Sequence, residues 1–346
     1  MIVQQARAAA REWVSGEAGR IPGFVGVFFS GSINGMADSA DLPATSDVDI
    51  LMVVDRPDLP RKPGKFLYRG ALIDASFLNS AEIQSPEQVL GASHLAWSLR
   101  AASLLLDPTG RLAQLQTEVA ANYAEYRWVV RRCEHAREKA LSHLAGLHEG
   151  EPLPDQVNHW LFGAGLTTHI LLAAGLRNPT VRKRYLAVRE LLAECGRAGF
   201  YPTLLELLGC AQMGREQVGQ HLAALAMAFD AASTVIKTPF VFGADISPTA
   251  RPVAIEGSRE LIEQGNPREA LFWIAVTATR CQQVLAMDAP PEMREKYLPA
   301  YRHLLADLGI VSFEDIHRRC DQVRALLPEV WQEGETIMRL NPEIKE

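Results

Sequence analysis

The sequence predicts an α+β protein, with a small mixed-sheet domain followed by an all-α helical bundle domain. Short β-rich runs alternate with a helical pattern over the first hundred or so residues. Beyond Arg111, apolar residues recur with the period of an α-helix almost everywhere. The length of 346 residues also suggests two domains, because one domain typically takes roughly 150 residues. We therefore predict a sheet domain at residues 1–112 and a helical domain at 113–346.

The predicted sheet consists of five short strands. The turn at Arg69-Gly70 predicts that the third and fourth strands form a hairpin. Ser85 has the character of a helix N-cap and predicts a helix that runs to about Leu99. The five strands are predicted at Phe24–Ser30, Val48–Asp55, Lys65–Arg69, Leu72–Leu78 and Ser103–Leu106.

The second domain is predicted from long Leu- and Ala-rich segments that prolines interrupt. One interval does not follow the helical pattern. Thr238–Pro252 contains three prolines and Gly243, and it predicts an irregular loop inside the bundle.

Composition narrows the class of protein and of partner. Hydrophobic residues make up 48% and charged residues 22% of the chain, which is typical of a globular protein with a large core. Acidic residues exceed basic ones by 41 to 35, a net charge of −6. Because nucleic-acid-binding proteins usually present a basic face, this balance disfavours a nucleic acid as partner.

The same sequence predicts a cytoplasmic protein without a membrane partner. The N-terminus lacks the apolar core of a signal peptide, and the longest apolar stretch, Leu161–Leu176, is too short and too polar for a spanning helix. Five scattered cysteines form no metal-binding pattern, and we expect buried free thiols in a reducing compartment. The nine histidines also form no catalytic pattern and are expected to be structural.

Two aspartates at the start of the second strand are the first candidate site residues. Because side chains alternate along a strand, Asp47 and Asp49 point to the same side, about 6.5 to 7 Å apart. Val48 and Ile50 then point the other way, toward a core. Two carboxylates side by side are electrostatically costly without a cation, and hard oxygen ligands suit Mg²⁺. The pair therefore predicts a metal site.

A third acid, Asp74, interrupts the apolar run of the fourth strand. If this strand neighbours the second, opposed side chains lie about 4.5 to 5.5 Å apart, and three carboxylates can share metal ions. Two metal ions can hold the attacking and leaving oxygens of a phosphoryl transfer. Gly31 and Ser32 follow the first strand, where a glycine allows close approach to a phosphate and a serine offers a hydroxyl and an amide.

Together, Gly31-Ser32, Asp47-Val-Asp49 and Asp74 resemble the nucleotidyltransferase motif of the DNA polymerase beta superfamily. The resemblance covers about the first 110 residues. With its helical second domain, the chain is most similar in architecture to the aminoglycoside and lincosamide nucleotidyltransferases.

This resemblance implies roles for individual residues. Asp47 and Asp49 would bind two Mg²⁺ ions, whereas Asp74 would bind one ion and accept the proton of the acceptor hydroxyl. Ser32 would hold the triphosphate, and Ser46 matches a phosphate-side serine of the aminoglycoside enzymes. These enzymes also draw a cation from the helical domain onto the triphosphate. The candidates here are Lys183 and Arg184, in a basic run that opens a helix, although such a run is also typical of a solvated helix face.

The resulting hypothesis is an enzyme that transfers a nucleoside monophosphate to a hydroxyl of a small polar acceptor. ATP or another NTP is the donor, AMP is the expected group, and pyrophosphate leaves. Polycationic acceptors of the aminoglycoside kind would be attracted to an acidic protein. Alternatives are a transferase that adenylylates a protein, a non-catalytic nucleotide-binding regulatory module, and transfer to RNA. The sequence leaves the acceptor, the base and the oligomeric state open.

Overall fold

The computed structural model describes all 346 residues, which form two compact units. The first unit comprises residues 1–135, 176–180 and 341–346, and the second comprises residues 136–175 and 181–340. The predicted α+β class is confirmed, with one mixed sheet in the N-terminal part and helices in the rest.

The sheet has five strands in the order β3-β4-β2-β1-β5. Strands β2 and β4 are parallel neighbours, whereas β1 pairs antiparallel with β2 and β5, and β3 pairs antiparallel with β4. All five predicted strands are confirmed, and so is the hairpin through Arg69-Gly70. The strands are β1 Phe24–Phe29, β2 Val48–Val54, β3 Gly64–Tyr68, β4 Ala71–Asn79 and β5 Leu104–Leu106.

Helices cover both faces of this sheet. The apolar side of α1 packs against one face, to which Val48, Ile50 and Ile73 belong. The other face, which includes Phe28 and Val53, packs against α2, α3 and α4. The helix predicted from Ser85 to Leu99 is instead two helices, because Ala92 has an extended backbone conformation. The helices are α1 Val3–Glu17, α2 Pro86–Gly91, α3 Ser93–Leu99 and α4 Arg111–Asn122.

The remaining helices are long and mostly belong to the second unit. Helices α6 and α11 form its centre, since α6 packs against α11 and α13 while α11 packs against α9. None of the helices combines the length and the apolar character that crossing a membrane requires. They are α5 Tyr126–Ala145, α6 Leu153–Ala174, α7 Arg184–Glu194, α8 Tyr201–Leu208, α9 Arg215–Val235, α10 Gly257–Glu263, α11 Pro267–Asp288, α12 Pro291–Asp307 and α13 Phe313–Leu340.

Two smaller predictions are confirmed in large part. The predicted loop Thr238–Pro252 is irregular up to Ala250, apart from a short 3-10 turn at Gly243–Asp245, whereas Pro252 begins a π-helical segment, Pro252–Glu256. None of the five cysteines forms a disulfide, and four of them are buried as predicted, whereas Cys195 is partly exposed. Burial raises the pKa of the Cys133 thiol to about 12, which leaves it in the unreactive neutral form at physiological pH.

Candidate metal and nucleotide site

The register of the parallel β2 and β4 strands brings the three predicted carboxylates together. Asp49 lies directly beside Asp74 in this pairing. The neighbours of these aspartates, Val48 and Ile73, are fully buried against the α1 face. Strand alternation therefore sends the acids to the opposite face. A carboxylate oxygen of Asp47, of Asp49 and of Asp74 all lie within 4.8 Å of one another.

A lysine that the sequence analysis did not consider lies among these acids. Lys65 is directly opposite Asp74 in the antiparallel β3–β4 pair. Its ammonium group donates to Asp47 Oδ2 at 2.6 Å and to Asp74 Oδ2. The side chain of Lys65 is only 8% exposed. Lys65 thus supplies one positive charge to a cluster of three carboxylates.

The predicted hairpin already contained the information needed to find Lys65. With Arg69 and Gly70 as the two turn residues, Tyr68 pairs with Ala71. Counting away from the turn, back along β3 and forward along β4, then pairs Lys65 with Asp74. The turn therefore fixes the register. Paired residues of an antiparallel ladder point to the same face of the sheet.

The turn after β1 comes very close to the acids. Gly31 has a positive φ of 64°, and a Cβ built on it would lie 2.1 Å from Asp49 Oδ2. The backbone is fixed nearby, because the Ser30 amide donates to the Asp49 carbonyl at 2.9 Å. The Trp97 indole also donates to the Gly31 carbonyl at 3.3 Å. Only glycine satisfies both the conformation and the contact at this position.

The two predicted phosphate-side serines flank this arrangement. Ser32 follows Gly31 in the 3-10 turn Gly31–Gly35, and its side chain is exposed. Ser46 is partly exposed and precedes Asp47 directly, with its backbone amide donating to the Pro43 carbonyl at 3.0 Å. Ser32 is therefore the sequence neighbour of Gly31, and Ser46 is the sequence neighbour of Asp47.

These residues fit a hard divalent cation. All of the candidate ligand atoms are carboxylate oxygens, the type that Mg²⁺ prefers. In addition, Asp74 Oδ1 is buried and has no hydrogen-bond partner. A buried carboxylate oxygen without a partner is costly, and coordination of a cation would satisfy it.

The two predicted basic residues belong to the second unit. Arg184 is the first residue of α7 and is 1% exposed, with its guanidinium carbon 4.0 Å from the centre of the Phe272 ring. Burial lowers the pKa of Arg184 to about 9. Lys183 is partly buried at the N-cap of α7. Its pKa is lowered as well, mainly by burial and next by repulsion from Arg182. A contact of Lys183 or Arg184 with a phosphate stays a prediction.

Replacing Gly31 tests how closely the turn and the acids are coupled. We expect Gly31→Ala to lower the free energy of unfolding by at least about 1 to 2 kcal/mol, the cost of a left-handed conformation for a residue with a Cβ. We also expect weaker Mg²⁺ binding, because the new methyl group would displace the Asp49 carboxylate. Urea denaturation and calorimetric titration with Mg²⁺ measure the two effects.

Gly35→Ala is the matched control in the same turn. Its φ is not positive, and a Cβ there would meet only Trp97, at 3.7 Å. This variant should keep the metal affinity of the natural protein. Equal Mg²⁺ affinities in the two variants would show that the approach of Gly31 to Asp49 is unimportant for the site.

Comparison with known proteins finds no match for this chain. Protein-family profiles, curated proteins and solved structures were all compared with the chain, and none of them matches it.

Proposed function

We propose that this chain is a Mg²⁺-dependent nucleotidyltransferase, which transfers a nucleoside monophosphate from an NTP to a hydroxyl of a small polar acceptor. The observation that supports this proposal is the convergence of Asp47, Asp49 and Asp74 on one face of β2 and β4, with Gly31 against Asp49. ATP is the expected donor. The resemblance in the N-terminal motif supports the reaction class.

In this proposal the three carboxylates would hold two Mg²⁺ ions. When bound, Mg²⁺ would neutralise the triphosphate and stabilise the charge that develops on the leaving pyrophosphate. The acceptor oxygen forms a bond to the α-phosphorus, and the bond from that phosphorus to the bridging oxygen breaks. Asp74 accepts the proton of the acceptor hydroxyl.

The glycine and serine of the turn after β1 would position the nucleotide. Gly31 has no side chain, so the turn can lie directly against the Asp49 carboxylate, which would bring a phosphate held by this turn close to the metal ions. Ser32 is exposed and can donate its hydroxyl to the triphosphate. Ser46 lies beside the acids in sequence and would serve the same purpose from the loop before β2. Such positioning is a large part of phosphoryl-transfer catalysis.

Lys65 would have a different role, since it already forms direct ion pairs with Asp47 and Asp74. Its ammonium group holds two carboxylates together that would otherwise repel each other. We therefore propose that Lys65 keeps the acids in place before the metal and nucleotide arrive. In this role it positions the acids and does not touch the substrate.

A transfer assay with labelled nucleotides tests the proposal. The protein is incubated with Mg²⁺ and each α-³²P-labelled NTP, with a panel of polyhydroxylated and polycationic small molecules, and with a mixture of proteins. Mg²⁺-dependent label on a small molecule, with release of pyrophosphate, is expected. Label on protein would indicate the adenylylating alternative. Absence of both transfer and Mg²⁺-dependent nucleotide binding would overturn the proposal.

A further inference from the structure

Two histidines and an aspartate of the helical unit meet between α9 and α12. His221 lies on α9, whereas His303 and Asp307 lie one helical turn apart on α12. The Nε2 atom of His221 is 2.8 Å from Asp307 Oδ2, and that of His303 is 3.6 Å from the same oxygen. All three potential ligand atoms lie within 4.8 Å of one another.

An ordinary hydrogen bond explains only part of this arrangement. A bond between His221 and Asp307 would by itself join α9 to α12. It does not require a second imidazole, yet His303 also approaches the same carboxylate oxygen. The two imidazole rings lie edge to face, with their centroids 5.3 Å apart. Both ring nitrogens thus lie near the same carboxylate oxygen, as neighbouring ligands of one metal ion do.

The separations are close to those of a coordinated ion. With ligand bonds of about 2.0 to 2.2 Å and tetrahedral angles, ligand atoms of a zinc site lie about 3.4 Å apart. The distance from His303 to Asp307 already has this value within a few tenths of an ångström, at 3.6 Å. The distance from His221 to Asp307, 2.8 Å, needs to open by about half an ångström. Side-chain rotations provide such a change.

The surroundings suit a site with one fixed side and one open side. His221 is 4% exposed, so its imidazole is held in place by the packing around it. The His303 side chain is 67% exposed, so an ion can enter from solvent.

We propose that His221, His303 and Asp307 bind one divalent transition-metal ion of the zinc type. Two imidazoles and one carboxylate suit such an ion, whereas Mg²⁺ prefers oxygen ligands alone. Three protein ligands leave the fourth position of a tetrahedral ion for water. The bound ion joins α9 to α12 in the helical unit. The site does not depend on the proposed transfer reaction, since it uses other residues of the other unit.

Cobalt titration of the full chain tests this site. Co²⁺ substitutes for Zn²⁺ and absorbs visible light when its coordination is tetrahedral. The titration is made in excess Mg²⁺, which occupies the oxygen-only cluster of Asp47, Asp49 and Asp74. We expect one equivalent of Co²⁺ to bind, with a visible band and without the near-ultraviolet band of cysteine ligation. Zn²⁺ should displace it and raise the melting temperature.

His303→Gln removes one ligand at an exposed position where folding is not at risk. We expect the visible band to disappear and Co²⁺ affinity to fall more than about 100-fold, because even groups that only support a ligand contribute 10- to 100-fold. His317→Gln is the matched control. His317 and Asp321 form the same one-turn pair on α13, with 3.2 Å between Nδ1 and Oδ2, but no third ligand joins them.

The outcomes separate this site from the other one. A band that is lost in His303→Gln and kept in His317→Gln and Asp49→Asn supports the proposal. Absence of Co²⁺ binding by the natural chain would overturn it. Equal affinities of the His303→Gln and His317→Gln variants would also overturn it, because binding would then be non-specific. Neither result would alter the assay of nucleotide transfer.

Discussion

Replacing Asp49 by asparagine is expected to lower the rate of nucleotide transfer by at least about 10³-fold. The side chain keeps its size but loses the charge that would hold the Mg²⁺ ions. Stabilisation by such ions contributes several kcal/mol, and about 4 kcal/mol corresponds to roughly 10³-fold in rate. Calorimetric titration of ATP, with and without Mg²⁺, should show Mg²⁺-dependent binding only in the natural protein.

The fold of this variant should be unchanged. Asp49 lies between Val48 and Ile50, whose side chains are in the core on the opposite face, and the substitution does not alter them. Asp58→Asn, in the exposed loop before β3, is the matched control and should keep full activity. Unchanged turnover in Asp49→Asn would contradict the assignment of the acids.

Replacing Lys65 by methionine is expected to have the largest effect on stability. Methionine keeps much of the apolar stem but removes the charge between Asp47 and Asp74. Breaking a buried ion pair by removing one partner costs about 3 to 5 kcal/mol. The side chains of Asp74 and Asp47 are 14% and 17% exposed, so these ion pairs are not fully buried. We therefore expect the free energy of unfolding to fall by about 3 kcal/mol in a buffer with a chelator.

Added Mg²⁺ should restore much of this loss, because a cation then replaces the missing ammonium group. The variant should therefore show a stronger dependence of unfolding free energy on Mg²⁺ than the natural protein. Chemical denaturation with a chelator and with Mg²⁺ measures this difference, with Lys62→Met as the control in the loop before β3. A variant that is destabilised equally in both conditions would show that Mg²⁺ does not bind where the lysine acts.

Much of the sheet and its acid cluster could be predicted from sequence, because local patterns determine them. Alternation along β2 and β4 fixed the faces of Asp49 and Asp74, and a two-residue turn fixed the β3–β4 hairpin. The parallel pairing of β2 with β4 was assumed and could not be predicted. It joins strands with β3 between them in sequence, so no local signal specifies it.

The remaining features depend on tertiary packing. The contact of Arg184 with a phosphate stays a prediction, but no sequence pattern indicated that its guanidinium group lies on Phe272, a residue far away in the sequence. The cluster of His221, His303 and Asp307 was missed for the same reason. The spacing of His303 and Asp307 placed both on one side of a helix, but nothing in the sequence brings α9 beside them.

The position of Lys65 on β3 also affects how molecules of this protein meet each other. Strand β3 is an edge of the sheet, and no other strand pairs with its outer side. An edge strand can pair with the same edge of another molecule and start aggregation, which an inward-pointing charge and short length discourage. Strand β3 is only five residues long and carries the inward-pointing charge of Lys65. Strand β5, at the other edge, is only three residues long. Removing the Lys65 charge should therefore make the protein more prone to self-association.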